Sequence, residues 1–200
     1  KRINGSHQKS KKPLLINDLK CIINAIDQEK NIEYKKIRNK SLILIGFAGG
    51  FRRSELVNIE YSDLEFVNEG LKILIRRSKT DQLGEGSIKA IPYFSSNEYC
   101  PVTKLQDWIN YRNINNGKIF DISDKSVSLI IKRYALIAGL EPNKYGGHSL
   151  RSGFATSTAE AGAEERNIMA MTGHKTTQMV RRYIQEANLF KNNALNKIKI

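Results

Sequence analysis

Ten consecutive residues, Leu42 to Phe51 (LILIGFAGGF), carry no charge and no polar side chain. A run of this length is about half of the ~20 residues that a bilayer-spanning helix requires, and its three glycines weaken it further as a membrane segment. What it dictates instead is a buried helix over about residues 32–48, stopped by the pair Gly49 and Gly50. The sequence continues FRRSEL, which sets two arginines directly against the end of that buried helix. Desolvating a guanidinium is costly unless it is given a partner. The doublet therefore asks what the chain gains by rooting a cation so close to its core.

The rest of the pattern is mostly helical. Asn17 is placed to cap a helix whose apolar positions, Leu19, Ile22, Ile23 and Ile26, recur at helical spacing. A short helix is expected over 52–59. The period then switches to alternation in LEFV, LKILIRRSK and SIKAIPYF, separated by NEG and TDQLGEG, which reads as a small antiparallel sheet. Pro101 suits the first turn of a helix through KLQDWINYRN, and Ser123 suits the cap of another running to Gly139. From His148 onward the chain reads as short helices broken at Gly162, Gly173 and near Asn188. The expected fold class is mainly α with a small antiparallel β-sheet (α+β). A hydrophobic share of 40% over 200 residues supports one domain from residue 14, preceded by a basic linker at 1–13.

Thirty-three Lys and Arg against twenty Asp and Glu give a formal charge of +13, a field that attracts polyanions and puts nucleic acid first among partners. The same charge would also serve merely to keep a protein dispersed. No apolar h-region follows the basic opening, so neither a signal peptide nor a membrane partner is expected. Cys21 and Cys100 match no disulfide framework or zinc spacing and read as reduced structural thiols.

Three short stretches carry side chains able to do chemistry, and each also has an ordinary reading. In GHSLRSGF, His148 and Arg151 are three apart, so on a helix they share a face and can address one anion together. Such pairs are also common on plain helix surfaces. In TGHKTTQMVRRY, His174 precedes Tyr183 by nine residues; helical tyrosines most often pack. In RRSKTDQLGEG, Lys79 stands at the lip of the expected hairpin, where lysines are most often simply solvated.

Taken in chain order, GGFRRSEL, SKT in a hairpin, HSLR, GH and then Tyr resemble the tyrosine recombinase (phage integrase) family, whose pattern is Arg, Lys, His-x-x-Arg, His or Trp, Tyr. The resemblance runs from about residue 13 to near the end of the chain. It places the family's catalytic positions on Arg52, Lys79, His148, Arg151, His174 and Tyr183. Glu55 becomes a supporting residue, and Arg53 and Arg77 become candidate contacts to the DNA backbone. Arg52, not Arg53, is the residue in the motif frame.

The resemblance implies attack of Tyr183 on a DNA phosphodiester, giving a 3′-phosphotyrosine and a free 5′-hydroxyl. The bond energy is kept in the covalent link, so no ATP, metal or other cofactor is expected. Arg52 and Arg151 would hold the non-bridging oxygens, since a guanidinium stays charged and offers a planar fork. Only about one phenol in a thousand is ionised at neutral pH, so His148 would accept the tyrosine proton. Lys79 would protonate the departing 5′-oxygen, and His174 would hydrogen-bond the phosphate. The resemblance further implies double-stranded DNA as partner and a homo-tetramer on paired recombination sites, with Leu189, Phe190, Leu195 and Ile198 in a C-terminal segment suited to exchange between copies or to packing in cis. It also implies an N-terminal core-binding domain outside this chain, and a cytoplasmic, nucleoid-associated setting in a bacterium or under phage control. Two rival readings share these residues: a type IB topoisomerase or telomere resolvase, and an inactive DNA-binding module of the same fold.

Overall fold

The uncharged run forms the second half of a helix, as its length demands. The structure, a computed structural model, describes residues 11–30, 32–76, 86–188 and 194–198. Its first seven residues, 42–48, lie in α2 (Glu33–Ala48), where every residue from Ser41 to Ala48 is buried. A helix apolar on all sides must be surrounded. Here α1 (Ile16–Gln28), α3 (Arg53–Val57), α4 (Pro101–Arg112) and α6 (Gly147–Glu160) pack around it. Gly50 ends it with a φ of 55°, a conformation that a side chain disfavours. This turn drops Phe51 into the core at 1% exposure.

Three strands follow α3: β1 (Leu64–Val67), β2 (Gly70–Ile75) and β3 (Ser87–Pro92), antiparallel in the order β1-β2-β3. Val67 pairs with Gly70 across a tight turn, and Ile75 pairs with Ser87 at the far end of the second hairpin. Leu71, Ile73, Ile75 and Ile91 face the core, so the alternation holds along β2, whereas β3 turns Ile88 outward and Lys89 inward. Two of the expected helix starts also hold. Pro101 opens α4, where its missing N–H costs nothing. Ser123 Oγ accepts the Ser126 N–H at 3.2 Å and so caps α5 (Asp124–Ile137). No helix among the described residues is long and apolar enough to cross a membrane.

Two expectations need correction. Asn17 does not cap α1, which begins at Ile16 with Leu15 at the cap and no side-chain bond. The start is set from elsewhere: the Leu14 side chain is fully buried and its N–H donates to Ser149 O at 2.9 Å, so tertiary anchoring fixes where the helix can begin. Cys21 is exposed on α1, which leaves Cys100, buried at the cap of α4, as the thiol with a packing role.

The C-terminal third is built on α6, against which α7 (Glu165–Thr172) and α8 (Thr177–Asn188) pack. On its other flank α6 receives the N-terminal segment at close range. A Cβ on Gly153 would sit 2.0 Å from Leu14 O, so only glycine permits this approach. Lys12 N bonds Lys144 O at 2.8 Å and Lys12 Nζ lies 3.0 Å from Asp18, so the end of the stretch read as a linker is fastened to the domain.

Candidate active site

The arginine doublet is divided by the local backbone. Arg52 is the cap residue of α3, with extended backbone, and Arg53 is the first residue inside the helix. Three residues on, the buried Glu55 carboxylate accepts the Arg52 N–H at 2.9 Å through Oε2 and pairs with Arg52 Nη1 at 2.5 Å through Oε1. One carboxylate thus closes the first turn of the helix and orients the guanidinium. The side chain of Arg52 keeps a quarter of its surface open. Arg53 turns away, donating to Ser128 Oγ at 3.3 Å with Asp124 at 4.0 Å, and its stem lies over Gly147.

Arg151 lies deeper, at 2% exposure on α6, and donates from Nη1 to Gly50 O at 2.9 Å. The glycine turn therefore sets the Phe51–Arg52 direction and also supplies the acceptor that anchors the second arginine. Burial, together with the nearby Arg52 and against the pull of Glu55 and Tyr183, lowers the Arg151 pKa to about 10, which still leaves it charged at neutral pH. Two guanidiniums this close repel each other. An anion between them relieves both.

His148 sits in the first turn of α6, on its exposed side. Partial desolvation and the charges of Arg151, Arg52 and Arg53 lower its pKa, which keeps the ring neutral and able to accept a proton. His174 lies just past α7, 8% exposed, with Nδ1 hydrogen-bonded to Thr172 Oγ1 at 2.7 Å. Nε2 is the nitrogen left for the pocket. Burial, then Arg151, Arg52, His148 and Lys89, push its pKa down to about 4. Tyr183, half-buried on α8, has its ring centroid 5.9 Å from that of His174.

His148 and Tyr183 line a cleft of about 870 Å³ together with Lys12, Lys144, Ser152 and Arg182 among others, and a smaller one of about 200 Å³ is lined by Arg52, Arg53 and His148. The structure thus brings together Arg52, Glu55, His148, Arg151, His174 and Tyr183. Lys79 and Arg77 lie outside the described residues, on the segment that joins β2 to β3. Arg76, just past the end of β2, donates from Nε to the buried Asp63 at 2.6 Å and from Nη2 to Ser62 Oγ at 2.7 Å.

Sequence reading overlooked Thr172 and Lys89. A threonine two residues before His174 was the available signal for the first. For the second it was a lysine at an inward position of SIKAIP. Lys12, Lys144 and Arg182, which give the cleft its charge, were legible only as part of the net +13.

The chain matches the family model described as "Phage integrase family" over residues 14–189. It is 44% identical to an integrase/recombinase XerD homolog of Selenomonas ruminantium, an alignment covering 99% of this chain and 61% of that protein. It is 27% identical to the tyrosine recombinase XerC of Rickettsia prowazekii over 87% of this chain and 55% of the relative. The chain therefore spans little more than half the length of these relatives. Among solved structures, the fold superimposes on the XerH site-specific recombinase in its post-cleavage complex with palindromic difH substrate. There the TM-score is 0.73 at 21% identity, over 96% of this chain and 58% of the other. The Tn1549 transposon integrase in complex with transposon right end DNA gives 0.64 at 17% identity, over 95% of this chain and 69% of the other. The match over residues 14–189, with 44% identity to a relative across nearly the whole chain, settles the family: the chain belongs to the phage integrase family of tyrosine recombinases.

Proposed function

We propose that residues 14–200 are the catalytic domain of a site-specific DNA recombinase or integrase that cuts and rejoins double-stranded DNA through a 3′-phosphotyrosine intermediate. The observation that carries this reading is the gathering of two anchored guanidiniums, two neutral imidazoles and a tyrosine, with His148 and Tyr183 lining a basic cleft and Arg52 lining a smaller one that shares His148.

In this reading the scissile phosphate lies between Arg52 and Arg151, whose charges are fixed before the substrate arrives. Tyr183 Oη attacks the phosphorus while His148 takes the phenolic proton. The bond to the 5′-oxygen breaks, and Lys79 supplies the proton that this oxygen needs to leave as a hydroxyl. His174 hydrogen-bonds a non-bridging oxygen through Nε2. Reversal with the 5′-hydroxyl of a second strand joins new partners. No bond energy is lost, so the cycle needs no nucleotide hydrolysis. Glu55 acts through Arg52 as a positioning residue. Arg53 and Arg77 contact backbone phosphate.

Recombination needs two duplexes cut in turn, which fits a homo-tetramer on paired sites. Leu195 and Ile198, both exposed, belong to a C-terminal segment suited to exchange between neighbouring copies. The setting is the bacterial cytoplasm, on nucleoid, phage or mobile-element DNA.

The test is a pool of nicked duplex oligonucleotides randomised around the nick, in which release of a short fragment traps any covalent adduct. The protein is expected to capture a subset of sequences covalently, and Tyr183→Phe to capture none. An adduct that survives Tyr183→Phe, or none from the wild type, overturns the mechanism.

A further inference from the structure

Lys89 faces inward from the middle of β3, opposite Ile73, at a position where alternation calls for an apolar side chain; it is 4% exposed. A buried ammonium is costly unless its N–H groups are used. Lys89 Nζ donates to Gly49 O at 2.9 Å and to Met171 O, and it stands 5.0 Å from the centroid of the Phe51 ring. Methionine would fill similar volume without the desolvation cost, so stability alone gives no reason for a cation here.

The two acceptors indicate what the cation does. Gly49 precedes Gly50, whose carbonyl anchors Arg151, and lies three residues before Arg52. Met171 precedes Thr172, whose hydroxyl bonds His174. These carbonyls belong to turns far apart in sequence, at the ends of α2 and α7, and the lysine that joins them lies on the strand leading out of the segment that carries Lys79.

We infer that Lys89 is a positioning residue for the strand-transfer reaction proposed above, on which this inference rests: its ammonium clips the Gly49–Arg52 turn to the Met171–His174 turn, so that Arg52, Arg151 and His174 address one phosphate together. The clip depends on the charged form, because a neutral amine donates more weakly and forfeits the attraction to the ring. Around it stand Glu55 and Arg52 from the α3 turn, Arg151 from α6 and His174 after α7. Burial, with the two arginines and against Glu55, brings its pKa down to about 8. The clip is therefore closed below that pH and loosens above it.

The experiment measures the initial rate of covalent adduct formation on the duplex recovered from the randomised pool, on both sides of pH 8. Lys89→Met is expected to lower the rate about 100-fold at neutral pH, the penalty typical of misplaced reacting groups, with duplex affinity within about twofold of wild type. Lys89→Arg is expected to restore cleavage, and its rate relative to wild type should rise as the pH passes 8, since a guanidinium keeps its charge. A folded Lys89→Met that cleaves at the wild-type rate overturns the inference. So does a Lys89→Arg to wild-type ratio that stays flat across pH 8, and that ratio decides alone if Lys89→Met does not fold. A wild type that forms no adduct defeats the strand-transfer reading and this role with it, whereas a wild-type adduct matched by Lys89→Met removes the role only.

Discussion

Two apolar clusters of very different size hold the two halves of the candidate site. The larger draws on α1 to α6 and the sheet, and includes Ile22, Leu42, Phe51, Leu56, Ile131 and Leu150. Arg52 is rooted in it through Phe51 and Leu56, and Arg151 through Leu150. The smaller consists of Ala155, Ala159, Ile168 and Val180, with Met169, Tyr183 and Ile184 at its margin. His174 and Tyr183 depend on this second cluster, where two of the four buried members are alanines. The half that carries the two arginines is thus backed by a deep core, while the half that carries His174 and Tyr183 is held by little apolar surface. Regions with few buried contacts open at lower free energy than the whole. Helix α6 belongs to both halves, so Arg151 marks the boundary between a firmly held pair of cations and a lightly held tyrosine.

The sharpest way to break this comparison is chemical. Arg52→Ala and Arg151→Ala are each expected to slow adduct formation by about 100- to 1000-fold, the usual cost of removing one preorganised donor to a developing anion, while duplex affinity falls far less. Parallel rate and binding measurements check this. Equal losses in both would reduce the arginines to plain backbone contacts.

A second test concerns packing. Ile131→Ala, in the large cluster, should cost about 2–5 kcal/mol of global stability in a urea melt. Ile168→Val should cost only about 0.5–1.5 kcal/mol. Its effect should appear chiefly as faster hydrogen exchange in α7 and α8, with α2 amides unchanged. Uniform acceleration across the molecule would mean that the two clusters open as one.

Proton linkage gives a third. The His174 pKa is held down to about 4 from its ordinary 6.5, so between those values the unfolded chain binds a proton that the folded one refuses. The stabilisation is fully present above pH 6.5 and is lost as the pH falls towards 4, by on the order of 1–3 kcal/mol. His148, also lowered, adds to the same slope. His174→Trp should flatten the acid limb of a stability-versus-pH curve; an unchanged limb would place the effect elsewhere.

The smallest effect is expected at Arg53. Its partners are Ser128 and a half-exposed Asp124, so Arg53→Ala should change adduct formation by no more than about threefold. A loss as large as that of Arg52→Ala would mean the motif frame is one residue out.

The division between the arginines was legible because the frame Gly-Phe-Arg-x-Ser-Glu-Leu names one of them, and the small sheet was legible because β2 alternates and turn residues bound each strand. What could not be read depends on groups without sequence identity. The partners of Lys89 are two backbone carbonyls, so nothing in SIKAIP says what its charge is for. The start of α1 follows from a bond between Leu14 N and Ser149 O, a contact between distant parts of the chain that overrides the capping preference of Asn17. Cys21 and Cys100 look alike in sequence, and only the packing of α1 against its neighbours tells the exposed one from the buried one.

The contact of Leu14 with Gly153 has a mechanical consequence. The N-terminal segment lies directly on α6, bonded at Ser149 between His148 and Leu150, and Lys12 is fastened to Lys144 just upstream of the same helix. Tension applied near Lys11 therefore reaches the helix that carries His148 and Arg151 without first passing through the core. A tag, tether or fused partner joined at that point would pull directly on the helix that carries His148 and Arg151.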